Sequence, residues 1–348
     1  MKLPIRTIRW RRTADRLGPK RLLSLCLEPG SSEGVLLSRK HDTVRWEDSF
    51  SLPAYDDASQ GKELKQALQK FAKEADYITM VTQLPGALLR LISFPGRPPK
   101  DDSLETRVRQ TLGVDETYLV RSQQVAETQH DDKPEFSVLA CALPVQTSKV
   151  LAEIASDVGM LGTGLTMGGV AAANLVHCAE DGRMDEDATA FLHMGNDVSQ
   201  LLVFRGKTLT VIREFQLGRR TIINSLMKNM DLDEETTLKL FLSGSFDIGS
   251  ELVPALGPWL HHIVISLDFC ERRYGDHPAR LQLCGCGAQS KTLHSAIAEK
   301  IGRPVVEWDP LSSMSRLSMP RRSDFEPREH LLAFSEGYRF MEPGVTSK

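Results

Sequence analysis

The sequence has little of what marks the more specialised classes of protein. Aromatic residues make up only 6% of its 348 positions, and 43 lysines and arginines are matched by 46 aspartates and glutamates, which gives a net charge of -3. Aromatic side chains provide stacking platforms for bases, and an excess of positive charge drives non-specific binding to nucleic acids. Because neither feature dominates the chain, no nucleic-acid partner is expected.

Long apolar runs and a dense set of cysteines are also lacking. No run of consecutive apolar residues approaches the roughly 20 that a membrane helix needs. The early run at 22–27 stops at Glu28 and is too short for the apolar region of a secretory signal peptide. Six scattered cysteines do not form a disulfide scaffold. With 41% hydrophobic residues to fill a core, the composition predicts a globular cytoplasmic protein of about two domains.

The first 21 residues form a basic arm. They contain a single acid, Asp15, and four apolar residues are interspersed among the bases: Leu3, Ile5, Ile8 and Trp10. The bases are Lys2, Arg6, Arg9, Arg11, Arg12, Arg16, Lys20 and Arg21. Three interpretations stay open. The arm binds anionic lipid headgroups, where each base adds about 1 kcal/mol, or it binds nucleic acid, or it is a solvated leader.

Hydrophobic periodicity divides the chain into two similar halves with a block inserted in the first. Each half predicts a strand, a turn and two returning strands, followed by helices. The predicted strands of the two halves are 22–27, 34–38, 42–50 and 77–81, then 189–193, 200–204, 209–215, 281–283 and 305–307. The predicted helices lie near 64–71, 219–229, 233–243, 258–274, 291–300 and 328–340. The repeat predicts two α/β lobes.

The inserted block has its own pattern. Strands are predicted at 88–94 and 135–142, a helix at 103–112 with Ser103 as its cap, and a second helix near 150–158 that ends at Gly159. The Pro-Gly-rich stretch at 95–99 breaks the chain between the first strand and helix. The block therefore predicts a small subdomain of strands and helices.

Four segments resemble the motifs of one protein family, the type IV pilus assembly protein PilM family, which is related more distantly to FtsA. Residues 27–32 (Leu-Glu-Pro-Gly-Ser-Ser) resemble its first phosphate turn, and residues 192–195 (Leu-His-Met-Gly) resemble its second. Residues 215–218 (Phe-Gln-Leu-Gly) resemble the link into the next helix, and residues 283–288 (Leu-Cys-Gly-Cys-Gly-Ala) resemble the adenosine motif. The order and spacing of the segments over about residues 20–340 carry the resemblance.

The resemblance implies an actin-like (ribonuclease H-like) α/β fold of two lobes with a small inserted α+β subdomain. Residues 21–84 and 161–186 would form the first lobe, 85–160 the inserted subdomain that binds a partner, and 187–348 the second lobe. Residues 1–20 would precede them as the basic arm.

The resemblance also implies a site for ATP and Mg²⁺. In such a site, hairpin turns offer backbone N–H groups to the phosphates, and glycine lets the backbone approach them closely. Ten residues match the family by position. They are Glu28, Gly30, Ser31 and Ser32 in the first turn, Gly195 and Asn196 in the second, Gly218 in the link, Lys239 on the ribose-side helix, and Gly285 and Gly287 in the adenosine motif.

Several positions depart from the family's pattern. His193 replaces the acid of the second turn, although Mg²⁺ prefers carboxylate oxygens. Pro29 removes a backbone donor from the first turn, and Cys286 replaces a glycine of the adenosine motif. Thr236 or Thr237 stands where the family has a glutamate before its lysine.

Charge and chemistry weaken the site further. Glu33 and Asp197 place negative charge within the two turns, where it would repel a triphosphate. Cys284 and Cys286 lack the second pair of ligands that a zinc site needs, so no metal site is expected there. No catalytic residue is assigned, and the protein is interpreted as a pseudo-ATPase in which nucleotide binding is weak or lost.

The resemblance implies a cytoplasmic scaffold, peripheral to the inner membrane, in a type IV pilus assembly or type II secretion complex. Its partner would be the short cytoplasmic tail of a PilN-like single-span membrane protein, bound near residues 84–94 and 140–150. Residues 1–21 would hold the scaffold to the anionic membrane surface. The alternative is an active ATP-hydrolysing protein, either an FtsA-like filament former that associates with itself or a kinase-like enzyme.

Overall fold

The computed structural model describes residues 20–55, 61–98, 103–130, 133–180, 187–244, 248–320 and 325–342. The basic arm predicted for residues 1–21 lies outside these ranges except for Lys20 and Arg21. The chain divides into two compact units. Unit 1 comprises the chain up to Cys178 and from Met314 onwards, and unit 2 comprises Ala179–Ser313.

The described residues form strands and helices in both units. The strands are β1 (Arg21–Glu28), β2 (Ser31–Lys40), β3 (Thr43–Leu52), β4 (Tyr77–Thr82), β5 (Leu88–Pro95), β6 (Tyr118–His130), β7 (Lys133–Pro144), β8 (Leu161–Met167), β9 (Ala188–Met194), β10 (Ser199–Arg205), β11 (Thr208–Phe215), β12 (Leu281–Gly285), β13 (Val305–Glu307) and β14 (Leu317–Ser318). The α-helices are α1 (Gly61–Gln69), α2 (Ser103–Leu112), α3 (Val145–Asp157), α4 (Gly168–Ala179), α5 (Arg219–Met230), α6 (Glu234–Ser243), α7 (Gly249–Tyr274), α8 (Lys291–Ile301) and α9 (Leu331–Met341).

Unit 1 is built on a six-stranded sheet with the order β14-β3-β2-β1-β4-β8. β1 to β3 form an antiparallel meander, and β4 runs parallel to β1. The continuous apolar run of β1 is buried on both faces, as expected for a strand covered on both sides. On one face, Leu23 and Leu25 join a core with Leu64 of α1 and Ile154 of α3.

A smaller three-stranded sheet with the order β5-β7-β6 corresponds to the inserted block. Helix α2 closes one face of this sheet, where Val108 packs with Phe94, Phe136 and Val138. The 13-residue β6 has no counterpart among the predicted strands, because its polar sequence lacks a continuous apolar pattern. Helix α3, predicted as part of the subdomain, instead contributes Leu151 and Ile154 to the core beneath β1.

The chain returns to unit 1 after unit 2. β14 pairs with β3, and the Ser24 hydroxyl of β1 donates to the Ala333 carbonyl of α9 over 2.6 Å. Gly337 lets α9 lie close to the sheet, since a Cβ there would be 2.6 Å from Leu37 Cδ1. The resemblance implies that all of 187–348 belongs to the second lobe. The structure instead places the described residues from 314 onwards with unit 1, because the buried face of α9 fits against β1 and β2.

Unit 2 repeats the arrangement with a five-stranded sheet of order β11-β10-β9-β12-β13. β9 to β11 form an antiparallel meander, and β12 runs parallel to β9. One core cluster joins Leu192 of β9 and Leu283 of β12 to α5, α7 and α8, through residues that include Ile222, Leu260 and Ile297. The second copy of the predicted strand–turn–strand–strand pattern is therefore present.

Helix α7 is longer than the sequence analysis predicts. It begins at Gly249 rather than near Pro258 and contains Pro254 and Pro258. Burial of Leu252 and Leu256 in the core favours the extra turns, although each proline removes a helical hydrogen bond. By length and composition α7 is the one described helix that could cross a membrane, but its buried face belongs to the core of unit 2.

Candidate functional site

The first predicted phosphate turn is the tight connection between β1 and β2 in unit 1. Glu28 pairs with Ser31, and Pro29-Gly30 make the turn between them. Gly30 has a φ of 76°, in the left-handed region, so Pro-Gly fits the two central positions of a type II turn. The predicted strand–turn–strand is confirmed here.

Two polar side chains next to this turn are buried. Ser32 is 1% exposed, and its hydroxyl has no hydrogen-bond partner among the described residues. Glu33 is also buried, and its carboxylate lies 3.7 Å from Nδ1 of His330, at the beginning of α9. A protonated His330 would offset the negative charge that the sequence analysis placed here. Sequence reasoning missed His330 because it lies about 300 residues after Glu33 in the chain.

The second predicted phosphate turn joins β9 to β10 in unit 2 and is closed by its own backbone. Met194 and Ser199 are the last paired residues, and the Gly195 N–H donates to the Val198 carbonyl over 3.0 Å. The carbonyls of Gly195 and Asn196 accept from the N–H groups of Arg219 and Arg220 at 3.0 and 2.9 Å. The turn is thus fixed to the first residues of α5.

Gly218 makes this contact possible. A Cβ at Gly218 would lie 2.4 Å from the carbonyl carbon of Asn196, which no side chain can occupy without movement of the backbone. The Ser199 hydroxyl also donates to the carbonyl of Leu217. The link at 215–218, chosen by its resemblance, therefore lies directly beside the second turn.

Side chains around the second turn satisfy one another. Arg219 donates to Oδ1 of Asn196 over 2.7 Å, and Arg220 lies 3.4 Å from the carboxylate of Asp197. The Cys286 thiol lies 3.6 Å from the same Asn196 oxygen. Asp197, which the sequence analysis treated as unneutralised, has an arginine partner. Neither arginine was singled out from sequence, although both follow Gly218 directly.

The adenosine motif lies against the second turn. The Cys286 N–H donates to the Met194 carbonyl over 2.7 Å, and a Cβ at Gly285 would be 2.3 Å from that carbonyl oxygen. Gly287 has a φ of 85° and faces Phe241 of α6. The structure therefore brings together three predicted segments of unit 2: the second turn, the link and the adenosine motif.

His193, at the position of the family's acid, is buried and neutral. Burial lowers its pKa to about 4, and Nδ1 lies 2.7 Å from Oε1 of Gln200. Burial also raises the pKa of the Cys284 thiol. A neutral imidazole and a protonated thiol do not supply the hard anionic oxygens that Mg²⁺ prefers.

Lys239 lies on the exposed side of α6. Its ammonium is 2.6 Å from the carboxylate of Glu235, one turn earlier. Thr236 and Thr237 bind Asp233, which caps the helix. The acid that pairs with Lys239 is therefore Glu235. Sequence reasoning missed it because it lies one position before Thr236.

The described residues lack a cluster that could hold a metal by protein ligands alone. They contain no group of three or more histidines, cysteines, aspartates or glutamates that could hold a metal. The glycine turns and the Ser32 hydroxyl are suited to phosphate oxygens, but the acid nearest the second turn, Asp197, faces Arg220. The side chains at the two turns do not define a catalytic step.

The comparisons with known proteins concern the fold. No protein-family model and no curated protein matches the sequence. A chain of the PilM-PilN type IV pilus biogenesis complex is similar in structure, with a TM-score of 0.72 and 16% identity over 92% of this chain and 99% of that chain.

Two further structures are similar at lower scores. A Bacteroides thetaiotaomicron protein with an actin-like ATPase fold and unknown function has a TM-score of 0.47 and 11% identity, over 86% of this chain and 95% of that chain. The cytoplasmic domain of EpsL, an inner membrane component of the Vibrio cholerae type II secretion system, has a TM-score of 0.43 and 12% identity, over 94% and 96%. At these TM-scores, the two structures do not by themselves establish the fold or function of this chain. The predicted actin-like α/β fold is confirmed, and the resemblance to PilM holds at the level of the fold.

Proposed function

We propose that this chain is a cytoplasmic actin-like scaffold of a type IV pilus assembly complex, or of a related secretion complex, at the inner membrane. Its partner is the short cytoplasmic tail of a PilN-like single-span membrane protein. The observation that carries the proposal is the similarity to a chain of the PilM-PilN complex over 92% of this chain.

The tail docks on unit 1, where the inserted sheet faces away from α2. The two stretches named from sequence as the partner region pair directly, with Leu89 opposite Cys141 and Leu91 opposite Leu139. These side chains alternate with those that pack against α2. Leu89 and Leu139 are buried, whereas Leu91 and Cys141 are half-buried, so these two side chains offer apolar contact to a bound peptide.

Titration with synthetic tail peptides of single-span membrane proteins from the same genome tests this docking. One peptide is expected to bind, and Leu91→Glu is expected to weaken it at least about tenfold, because the charge would be desolvated under the peptide. Leu161→Glu, at an exposed leucine elsewhere in unit 1, is the matched control. Equal loss in both variants, or no binding by any tail, would contradict the proposal. The tail that binds also distinguishes pilus assembly from type II secretion.

Nucleotide binding is weak or lost in this scaffold. Support comes from the neutral His193 and from the Cys286 thiol beside Asn196. By the resemblance, His193 stands in place of the acid that would meet the metal, and Cys286 stands in place of a glycine that would lie beside the base.

Calorimetric titration with ATP and Mg²⁺, for the wild type and Gly30→Asp, tests the nucleotide site. No heat of binding is expected for either protein, even at millimolar ATP. Micromolar binding that Gly30→Asp abolishes would overturn this part of the proposal. Phosphate release or nucleotide-dependent sedimentation would then favour the alternative of an active kinase-like enzyme or an FtsA-like filament former.

A further inference from the structure

Helix α7 exposes large apolar side chains. Of the four large hydrophobic side chains that are exposed in the described residues, three lie on this helix: Val253 at 46%, Ile265 at 49% and Phe269 at 42%. Ile265, Phe269 and Arg272 are spaced at four and three residues, so they share one face. Arg213 of β11 lies over the Phe269 ring at 5.9 Å, and Tyr274 packs edge-on against it at 6.1 Å.

Exposed bases surround the C-terminal end of this face. β9 begins, β10 ends and β12 begins at the same edge of the unit 2 sheet, because Ala188 pairs with Arg205 and Ala190 with Leu281. The end of α7 reaches this edge, where Arg205 donates to the Tyr274 carbonyl over 3.0 Å. Four exposed bases lie there: Arg205, Lys207, Arg272 and Arg280.

The acids of the same edge offset this charge only in part. Asp276 is buried beneath Arg205 at 2.7 Å, and Glu271 is paired with Arg303. The other acids among the described residues of this edge are Asp187, which is exposed, and Asp268, which is partly buried and lies 3.8 Å from Arg272. Among the described residues, bases therefore outnumber acids at this edge, in a chain whose net charge is -3.

We infer that Ile265, Phe269 and the bases around them form a membrane-contact surface for anionic phospholipid. Side chains such as Phe, Ile and Tyr enter the boundary between headgroups and acyl chains while neighbouring arginines bind phosphate, which is the arrangement of interfacial helices. A second copy of this chain is the less suitable occupant, because a symmetric contact would place the same bases against one another.

This inference deepens the proposed function by adding a membrane contact on unit 2 to the one proposed for residues 1–21. The surface lies at the edge of the sheet opposite the Gly195 turn, since β9 begins at one edge and ends at the other. The surface belongs to unit 2 and the β5–β7 face to unit 1, so the two contacts have no residue in common. Failure of the lipid contact would therefore leave tail binding unaffected.

Flotation of the full chain with vesicles tests the surface. Vesicles of phosphatidylglycerol and phosphatidylethanolamine are compared with vesicles of phosphatidylcholine alone, at low and high salt. The wild type is expected to float with the anionic vesicles and to be released by salt. Ile265→Ser/Phe269→Ser is expected to lower the partition coefficient at least about tenfold, and Arg272→Glu to lower it about tenfold.

Three controls keep the test specific. Leu161→Ser removes an equally exposed leucine from unit 1 and is expected to leave flotation unchanged. Replacement of Arg9, Arg11 and Arg12 by Gln measures how much of the vesicle binding is due to the basic arm. Thermal unfolding checks that each variant folds. Unchanged flotation of folded Ile265→Ser/Phe269→Ser and Arg272→Glu would overturn the inference, as would a dimer that dissociates in the first variant while its vesicle binding persists.

Discussion

At the scale of single residues, four of the glycines that match the family make close backbone contacts or adopt positive φ angles. Gly218 and Gly285 each face a peptide group of the second turn at a distance that excludes a Cβ. Gly30 and Gly287 have positive φ angles. Sequence could indicate these glycines because their role is conformational. It could not find Arg219, Arg220 or Gln200, whose roles depend on which side chains the fold places opposite them.

His193 predicts a pH dependence of stability. Its pKa in the folded protein is about 4, below the 6.5 of the unfolded chain, so the unfolded state binds more protons between these values. The free energy of unfolding is therefore expected to fall as the pH drops from about 6.5 to 4, by at most about 3 kcal/mol. His193→Gln should flatten this part of the profile.

Urea unfolding over this pH range measures the effect. His261→Gln, at an exposed histidine, is the control and should retain the wild-type slope. An unchanged slope in His193→Gln would show that the imidazole is not held neutral by burial.

At the scale of elements, periodicity predicted most strands and helices, because each buries one stripe or one run of apolar residues. β1, β4 and β9 are rich in apolar residues and largely buried, and they are central strands. β6 was missed because a strand with polar side chains is held by its ladder to β7 rather than by a pattern of its own. The start of α7 was missed because burial of Leu252 and Leu256 outweighs two prolines.

The link into α5 predicts a pair of glycine substitutions with effects of different size. Gly218→Ala is expected to lower the free energy of unfolding by about 1–3 kcal/mol, since its Cβ would collide with the backbone of Asn196. Gly257→Ala, inside α7, is expected to change it by less than about 1 kcal/mol, because the helix preference of alanine is opposed by contact of its Cβ with the ring of the following Pro258.

Chemical denaturation of the two variants beside the wild type checks this pair. Equal changes in the free energy of unfolding of both variants would mean that the second turn accommodates a methyl group without loss of stability. The close approach of Gly218 to Asn196 would then not fix the turn.

At the scale of the whole molecule, the two units have separate sheets and separate cores. A tail that docks on the β5–β7 face stabilises unit 1 by mass action, by about 2.7 kcal/mol when its concentration is a hundred times its dissociation constant. Slower hydrogen exchange is therefore expected at Leu88–Pro95 and Lys133–Pro144 with the tail bound.

Mass spectrometry of exchanged peptides locates the effect. Gly249–Tyr274 of unit 2 serves as the internal control and should exchange at the same rate with and without the tail. Protection confined to unit 2 would place the tail elsewhere and contradict the proposed docking face.

The sequence by itself determined the class of fold, the repeat of the strand–turn–strand–strand pattern and the inserted block. These follow from local periodicity and from glycine and proline at turns, which depend on near neighbours in the chain. Tertiary structure alone decided that α9 returns to unit 1, that α3 fills the core beneath β1 and that Glu33 faces His330. It also decided that Asn196, Arg219 and Cys286 satisfy one another. Such contacts join residues far apart in the chain, and they form only where the packed surfaces of the elements are complementary.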